Sequence, residues 1–365
     1  MKTVQVPLPE EYVGLPEVEV DARIEAAKRK LGNKLVILGH HYQRDAIIRH
    51  ADFRGDSYKL AKDASTHPEA EFIVFCGVHF MAESADILTP ENQKVILPNM
   101  AAGCSMADMA NSFQVQNCWK QLATVTDVTK IIPVTYINSA ANLKAFVGER
   151  NGTVCTSTNA PTAVKWALDQ GDKVLFFPDQ HLGRNTGVRL GYDPKEDMVL
   201  WDPFKPLGGN TPKAIQKAKF ILWKGHCSVH SRFTVEQIAK ARAEFPEVNV
   251  IVHPECSLEV VNASDDNGST EYIIRAVTNG ATGTSWAVGT EINLVQRLAQ
   301  ENPDKTIFCL DPQICPCSTM YRIHPSFLLW ILEELVERRV HNHVVVPENI
   351  AIPARKALDQ MLLLA

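Results

Sequence analysis

Short apolar runs closed by glycine, proline or polar residues recur along the chain, and helix-like segments fill the intervals between them. VILGHHY, FIVFCGVHF and VILPN come early, IIPVTYINS, VLFFPDQH and FILWKGH in the middle, and VNVIVHPE, TGTSWAVGTE and TIFCLDP late. Runs of this length without apolar–polar alternation predict strands buried on both faces. Alternation of such strands with helical segments predicts an α/β fold with parallel sheets.

The polar punctuation repeats as well. The first run of each third ends in His40 and Tyr42, in Tyr136 and Asn138, and in His253 and Glu255. A hydroxyl-bearing turn follows each time, at Ser57, at Ser157 and at Ser269–Thr270, placed to open a helix with unpaired backbone N–H groups. The separations of 17, 21 and 16 residues agree, and one insertion, rich in Gly, Pro, Asp and Trp from Gly191 to Pro212, accounts for the longer middle third. The pattern predicts three αβα units in pseudo-threefold arrangement around a central cleft. Their expected bounds are 1–120 with an N-terminal extension, 121–232 with the inserted loop, and 233–320. A C-terminal helical segment, 321–365, would pack back on the core. Ligands of open α/β sheets bind at the carboxyl ends of the strands, where these polar residues stand.

Composition narrows the function classes. With 365 residues, 45% of them hydrophobic, the chain can bury a large core. Its 37 basic and 42 acidic residues are scattered, without a long basic block, which argues against nucleic acid or an anionic membrane surface as partner. The acidic, proline-containing N-terminus has no secretory pattern, and FLLWILEELVERRV is too short and too charged to cross a bilayer; a cytoplasmic protein is expected. Neither a G-x-x-x-x-G-K-[ST] loop nor a well-placed G-x-G-x-x-G supports nucleotide binding.

Nine cysteines in such a chain point to thiols and metal ligands before disulfides. Cys76 and Cys309 sit inside apolar runs and read as core residues; Cys118, Cys155 and Cys256 read as lying in loops or near strand ends, also without a chemical role. Cys104, Cys227 and Cys317 occupy equivalent places, just after the last run of each unit. Sulfur-only ligation suits an iron–sulfur cluster or zinc, and three protein thiolates leave one position open. Cys315, one residue from Cys317, leaves the third ligand ambiguous. The polar strand ends together offer imidazoles, a carboxylate, phenols and an amide for proton transfer, and the three hydroxyl turns suit carboxylates or phosphate.

GHHYQRD with GDS, GVHFMAE, GCSM, TYINS, CTSTNAP, FFPDQHLGR, HCSVH, HPE, GST, GTE and CPCSTM, in this order over nearly the whole chain, resemble the motifs of the quinolinate synthases. The resemblance implies a transferase of NAD biosynthesis. It would condense iminoaspartate (iminosuccinate) with dihydroxyacetone phosphate to quinolinate, releasing phosphate and water. It implies a [4Fe–4S] cluster held by Cys104, Cys227 and Cys317, the last because the family's third ligand precedes x-x-Met, here Met320. The open iron would act as a Lewis acid. Carried over in the same way, His40, Tyr42, Ser57, Tyr136, Asn138, Ser157, His253, Glu255 and Thr270 would touch substrate, with Tyr42, His253 and Glu255 moving protons. An aspartate oxidase or dehydrogenase would supply the imino acid. The alternatives are another [4Fe–4S] dehydratase acting on a single hydroxy acid, and a non-catalytic zinc or redox-sensing protein for which the Cys315-Pro-Cys317 pair is the best feature.

Overall fold

A computed structural model describes residues 5–64, 66–313 and 316–364. All nine apolar runs are strands, and every pairing between named strands is parallel. The first sheet comprises β1 (Leu35–His40), β2 (Phe53–Gly55), β3 (Phe72–Cys76) and β4 (Lys94–Ile96). The second comprises β5 (Ile131–Tyr136), β6 (Thr153–Cys155), β7 (Lys173–Phe177), β8 (Met198–Trp201) and β9 (Phe220–Trp223). The third comprises β10 (Asn249–Val252), β11 (Asp266–Asn267), β12 (Ser285–Gly289) and β13 (Thr306–Cys309). Strand order is β2-β1-β3-β4 in the first sheet, β6-β5-β7-β9-β8 in the second and β11-β10-β12-β13 in the third. With β8 set aside as an added edge strand, one order recurs in the three sheets.

Each sheet carries an edge strand that the apolar pattern does not announce. FRG, TVC and DN are only two or three residues long, too short to carry an apolar run. They join the sheet because main-chain hydrogen bonds to the neighbouring strand need no side-chain period. The segment expected as an inserted loop holds one more strand, β8, in register with β9 from Met198↔Phe220 to Trp201↔Trp223. Trp201 is buried there, and Gly208, at φ +64, passes under its indole where an added Cβ would lie 2.5 Å from the ring. Only glycine suits both the backbone angle and the space.

Two compact units divide the chain, Met1–Cys104 with Cys315–Pro347, and Ser105–Ile314 with Glu348–Ala365. The first contains the first sheet and two packed helices, Glu17–Leu31 and Pro325–Val336, joined by a two-pronged Arg23–Glu333 pair at 2.7 and 2.9 Å. The second contains the other two sheets. Its last helix, Glu348–Leu363, lies so close to Ala141–Glu149 that a Cβ on Gly148 would fall 1.8 Å from the Pro353 carbonyl oxygen.

Two local expectations need correction. Ser57 does head a helix, Ser57–Ala64, but Ser157 does not: it lies in the turn after β6, ahead of the helix Ala160–Gln170 and its N-cap Asn159. Asn159 Oδ1 accepts from the Thr156 amide at 2.8 Å and shapes that turn instead. Cys118 lies not in a loop but within the helix Ser112–Leu122, buried.

Candidate active site

In the second unit, three polar strand ends meet in one buried network. β5 ends at Tyr136, whose O–H donates to Glu255 Oε1 at 2.6 Å. Glu255 Oε2 lies 2.8 Å from His230 Nδ1, and His230 Nε2 lies 3.1 Å from Thr290 Oγ1. The His230 and His253 rings stack at 4.3 Å, 16° apart. Glu255 is 3% exposed, and the two histidines are as deeply buried. A carboxylate so buried is tolerable only with partners on both oxygens, which it has. Burial works to raise the Glu255 pKa; the flanking His230 and His253 and the Tyr136 hydroxyl outweigh it and hold the carboxyl below its usual range.

The chain reaches this geometry through the turn after β10. The His253 amide donates to Gly289 O at 3.1 Å, the Cys256 amide returns to His253 O at 3.0 Å, and the Glu255 amide donates to His253 Nδ1 at 3.3 Å. With Nδ1 accepting, the neutral ring carries its proton on Nε2. Burial first, then His230, pushes the His253 pKa down to about 3, so the ring is a neutral N–H donor. Asn185, the residue after the FFPDQHLGR stretch, braces the same turn by donating to Pro254 O and Cys256 O, both at 2.8 Å.

Cys227 borders this network. One ligand atom each from Cys227, His230 and Glu255 lies within 4.8 Å of the other two. Asp179, fully buried, caps the helix Gln180–Arg189 by accepting from the Leu182 amide at 2.6 Å. Burial and then Glu255 push its carboxyl well above the usual range. His181 is pushed down to about 4, chiefly by burial and then by Arg184. Asn138 Oδ1, His181 Nδ1 and Asn185 Oδ1 are buried without a hydrogen-bond partner, which leaves capacity for a polar ligand or water. Thr270 is buried at the head of the helix Thr270–Asn279, whereas the Ser269 hydroxyl is engaged as its N-cap, accepting from the Tyr272 amide at 3.3 Å.

The first unit presents the second group of candidates. His40 ends β1 and repeats the His253 arrangement in detail: its Nδ1 accepts the amide two residues on, that of Tyr42, at 3.1 Å. The Tyr42 ring meets the imidazole edge-on at 4.8 Å. Cys104 stands in the loop after β4, and Cys317 Sγ lies 3.4 Å from Thr319 Oγ1. Cys315 lies outside the described residues.

The described cysteines divide by exposure. Cys104, Cys227 and Cys317 are half-buried, while Cys76, Cys118, Cys155, Cys256 and Cys309 are buried. Burial pushes the Cys76 and Cys309 thiols up to about 12 and raises the other three buried thiols as well. Among the described cysteines, the three half-buried ones are those whose sulfurs a metal group could reach, so the donor set fits a thiolate-bound cluster.

Sequence reasoning missed His230, Thr290 and Asn185, although the first two stand inside quoted motifs, HCSVH and GTE, and the third directly follows FFPDQHLGR. The available signal was polarity at a buried period: Asn185 follows Leu182 by three residues on the inward face of its helix.

Residues 22–363 match the family model for quinolinate synthetase A protein. The chain is 60% identical over 355 residues to the quinolinate synthase of Corynebacterium glutamicum, covering 97% of this chain and 90% of that one. It is 55% identical over 346 residues to that of Streptomyces coelicolor, with 94% and 88% covered. Against the quinolinate synthase of Geobacillus thermodenitrificans it is 52% identical over 359 residues, with 98% and 97% covered.

Proposed function

This chain belongs to the quinolinate synthase family, the enzymes that make quinolinate for NAD biosynthesis, and we propose that it condenses iminoaspartate with dihydroxyacetone phosphate, releasing phosphate and water. Cys104, Cys227 and Cys317 would hold a [4Fe–4S] cluster. Such a cluster, with one iron free of protein ligands, supplies a Lewis acid for a substrate oxygen. The thrice-repeated strand order supports a pseudo-threefold arrangement of the three αβα units, 1–120, 121–232 and 233–320. No helix among the described residues is long and apolar enough to cross a membrane, in keeping with a cytoplasmic enzyme.

The observation that carries this reading is the closeness of the Cys227 sulfur to the His230–Glu255 pair. It sets an ionised base beside a ligand thiol. Glu255, charged and anchored on both oxygens, takes a substrate proton during enolisation. Tyr136, already donating to it, lowers the cost of that charge and can pass a proton on. His253, neutral with its proton on Nε2, donates to a carbonyl or departing hydroxyl. Tyr42 and His40 supply a second phenol and imidazole for the proton transfers before ring closure. The hydroxyls of Ser57, Ser157 and Thr270, with the Asn138 amide, receive carboxylates and phosphate.

Anaerobic purification with iron and sulfide analysis tests the cluster, and an assay with both substrates tests the reaction. A brown protein with about four irons, lost on changing Cys104, Cys227 or Cys317 to Ser and kept on changing Cys315, is expected. Colourless protein holding zinc overturns the cluster, and turnover of a single hydroxy acid without the triose phosphate overturns the condensation.

A further inference from the structure

The two residues after the His-x-Tyr segment reach the loop that carries Cys317. Gln43 is 1% exposed, and its Nε2 donates to Met320 Sδ at 3.5 Å. The Arg44 guanidinium lies over the Tyr321 ring, 3.5 Å from its centroid, and also donates to the Tyr321 carbonyl. Asn99, five residues before Cys104, donates to the Arg322 carbonyl at 3.0 Å. The turn Met320–Arg322 is thus anchored at three consecutive residues. It closes directly on the cysteine, because the Tyr321 amide donates to Cys317 O at 2.9 Å.

The loop's own hydrogen bonds, from the Arg322 amide to Thr319 O at 3.3 Å and from the Ile323 amide to Met320 O at 3.2 Å, shape its backbone but do not fix the Tyr321 side chain. Tyr321 is 51% exposed and gains no fixed position from burial, so its place depends on the guanidinium above it. Arginine suits the task because a planar guanidinium stacks on a ring while still forking toward a carbonyl, and lysine cannot do both. Burial is the main cause lowering the Arg44 pKa, against the Tyr321 contact. Gln43 answers for the methionine three residues after the cysteine: its buried amide meets the thioether.

We propose that Gln43 and Arg44 are positioning residues that set the Cys317 thiol by holding Met320 and Tyr321, so that the His40–Tyr42 substrate segment and the third cysteine's loop move as one piece. The inference rests on the reading of Cys317 as a cluster ligand, and the experiment separates the two.

In a Cys315→Ser background, iron is removed anaerobically and alkylation of Cys317 by iodoacetamide is timed by peptide mass spectrometry, with Cys104 and Cys227 as internal references. Loss of one stacking contact of this kind corresponds to about a five-fold change in loop opening. Arg44→Ala and Tyr321→Ala should each speed Cys317 alkylation by about that factor, and the double variant should be no faster than the worse single one, because both remove the same contact. Arg44→Lys should fall between, and Cys104 and Cys227 should keep their rates. In the loaded protein the same variants should surrender iron to a chelator sooner. An unchanged Cys317 rate, or equal acceleration of all three thiols, overturns the positioning role. Faster alkylation with unchanged iron release supports the anchor and overturns Cys317 as a ligand.

Discussion

Tyr136 donates its phenolic hydrogen to Glu255 across 2.6 Å, tying the end of β5 to the turn after β10. Removing that hydrogen with Tyr136→Phe keeps the ring and its packing. It withdraws a bond to the charged form of Glu255, so the carboxyl pKa must rise. The acid limb of kcat/KM should move to higher pH, and kcat should fall about 10- to 100-fold, the equivalent of a bond to a charged group. A pH–rate profile checks both, and an unmoved acid limb would remove Tyr136 from the proton path.

Glu255→Gln replaces the base with an amide of the same shape. Turnover should drop about 10²- to 10⁴-fold, the range for a general base, while the visible absorbance of the cluster stays. Steady-state rates and the spectrum on one preparation decide this. Unchanged turnover would sink the assignment.

Acid should destabilise the fold through His253. Its pKa falls from the ordinary 6.5 to about 3 on folding, so the unfolded chain binds the proton more readily. The contribution is fully present above pH 6.5 and is lost as pH falls toward 3. Glu255, also held low, adds to the loss further down. Urea unfolding of the apo protein at several pH values should show the midpoint falling below pH 6.5, with a flatter slope in His253→Asn. Equal slopes would mean that His253 is not held neutral in the fold.

Thiol reactivity should divide the cysteines as burial does. In native apo protein Cys104, Cys227 and Cys317 should alkylate at least about ten-fold faster than Cys76, Cys118, Cys155, Cys256 and Cys309, whose burial disfavours the reactive thiolate. Timed quenching and peptide mapping read this directly, and rapid labelling of any buried member in folded protein would contradict it.

Gly148→Ala should cost about 1–3 kcal/mol, because the new methyl meets the Pro353 carbonyl oxygen across a close helix crossing. The thermal midpoint should fall. A second drop on truncating the helix Glu348–Leu363 should be smaller in Gly148→Ala than in the parent, since the contact is already impaired.

The sequence by itself determined the strands and their repetition. Continuous buried runs such as LVILGH and IIPVTY can be little else than parallel strands, and polar punctuation at equivalent ends placed His40, Tyr136 and His253 at the carboxyl edges. It also singled out Cys104 and Cys227, with Cys315 or Cys317 as the third, because chemistry at equivalent points of a repeat is legible as spacing; the choice of Cys317 came from the resemblance to the family. The edge strands FRG, TVC and DN stayed hidden, since main-chain pairing leaves no side-chain signature. Tertiary structure alone decided which polar residues meet. His230 joins Glu255 from 25 positions away, Tyr136 from 119, and Tyr321 finds Arg44 across 277. Local pattern records what each residue must bury or expose, whereas a partner for a buried charge is chosen by how the elements pack, and packing is a property of the whole chain.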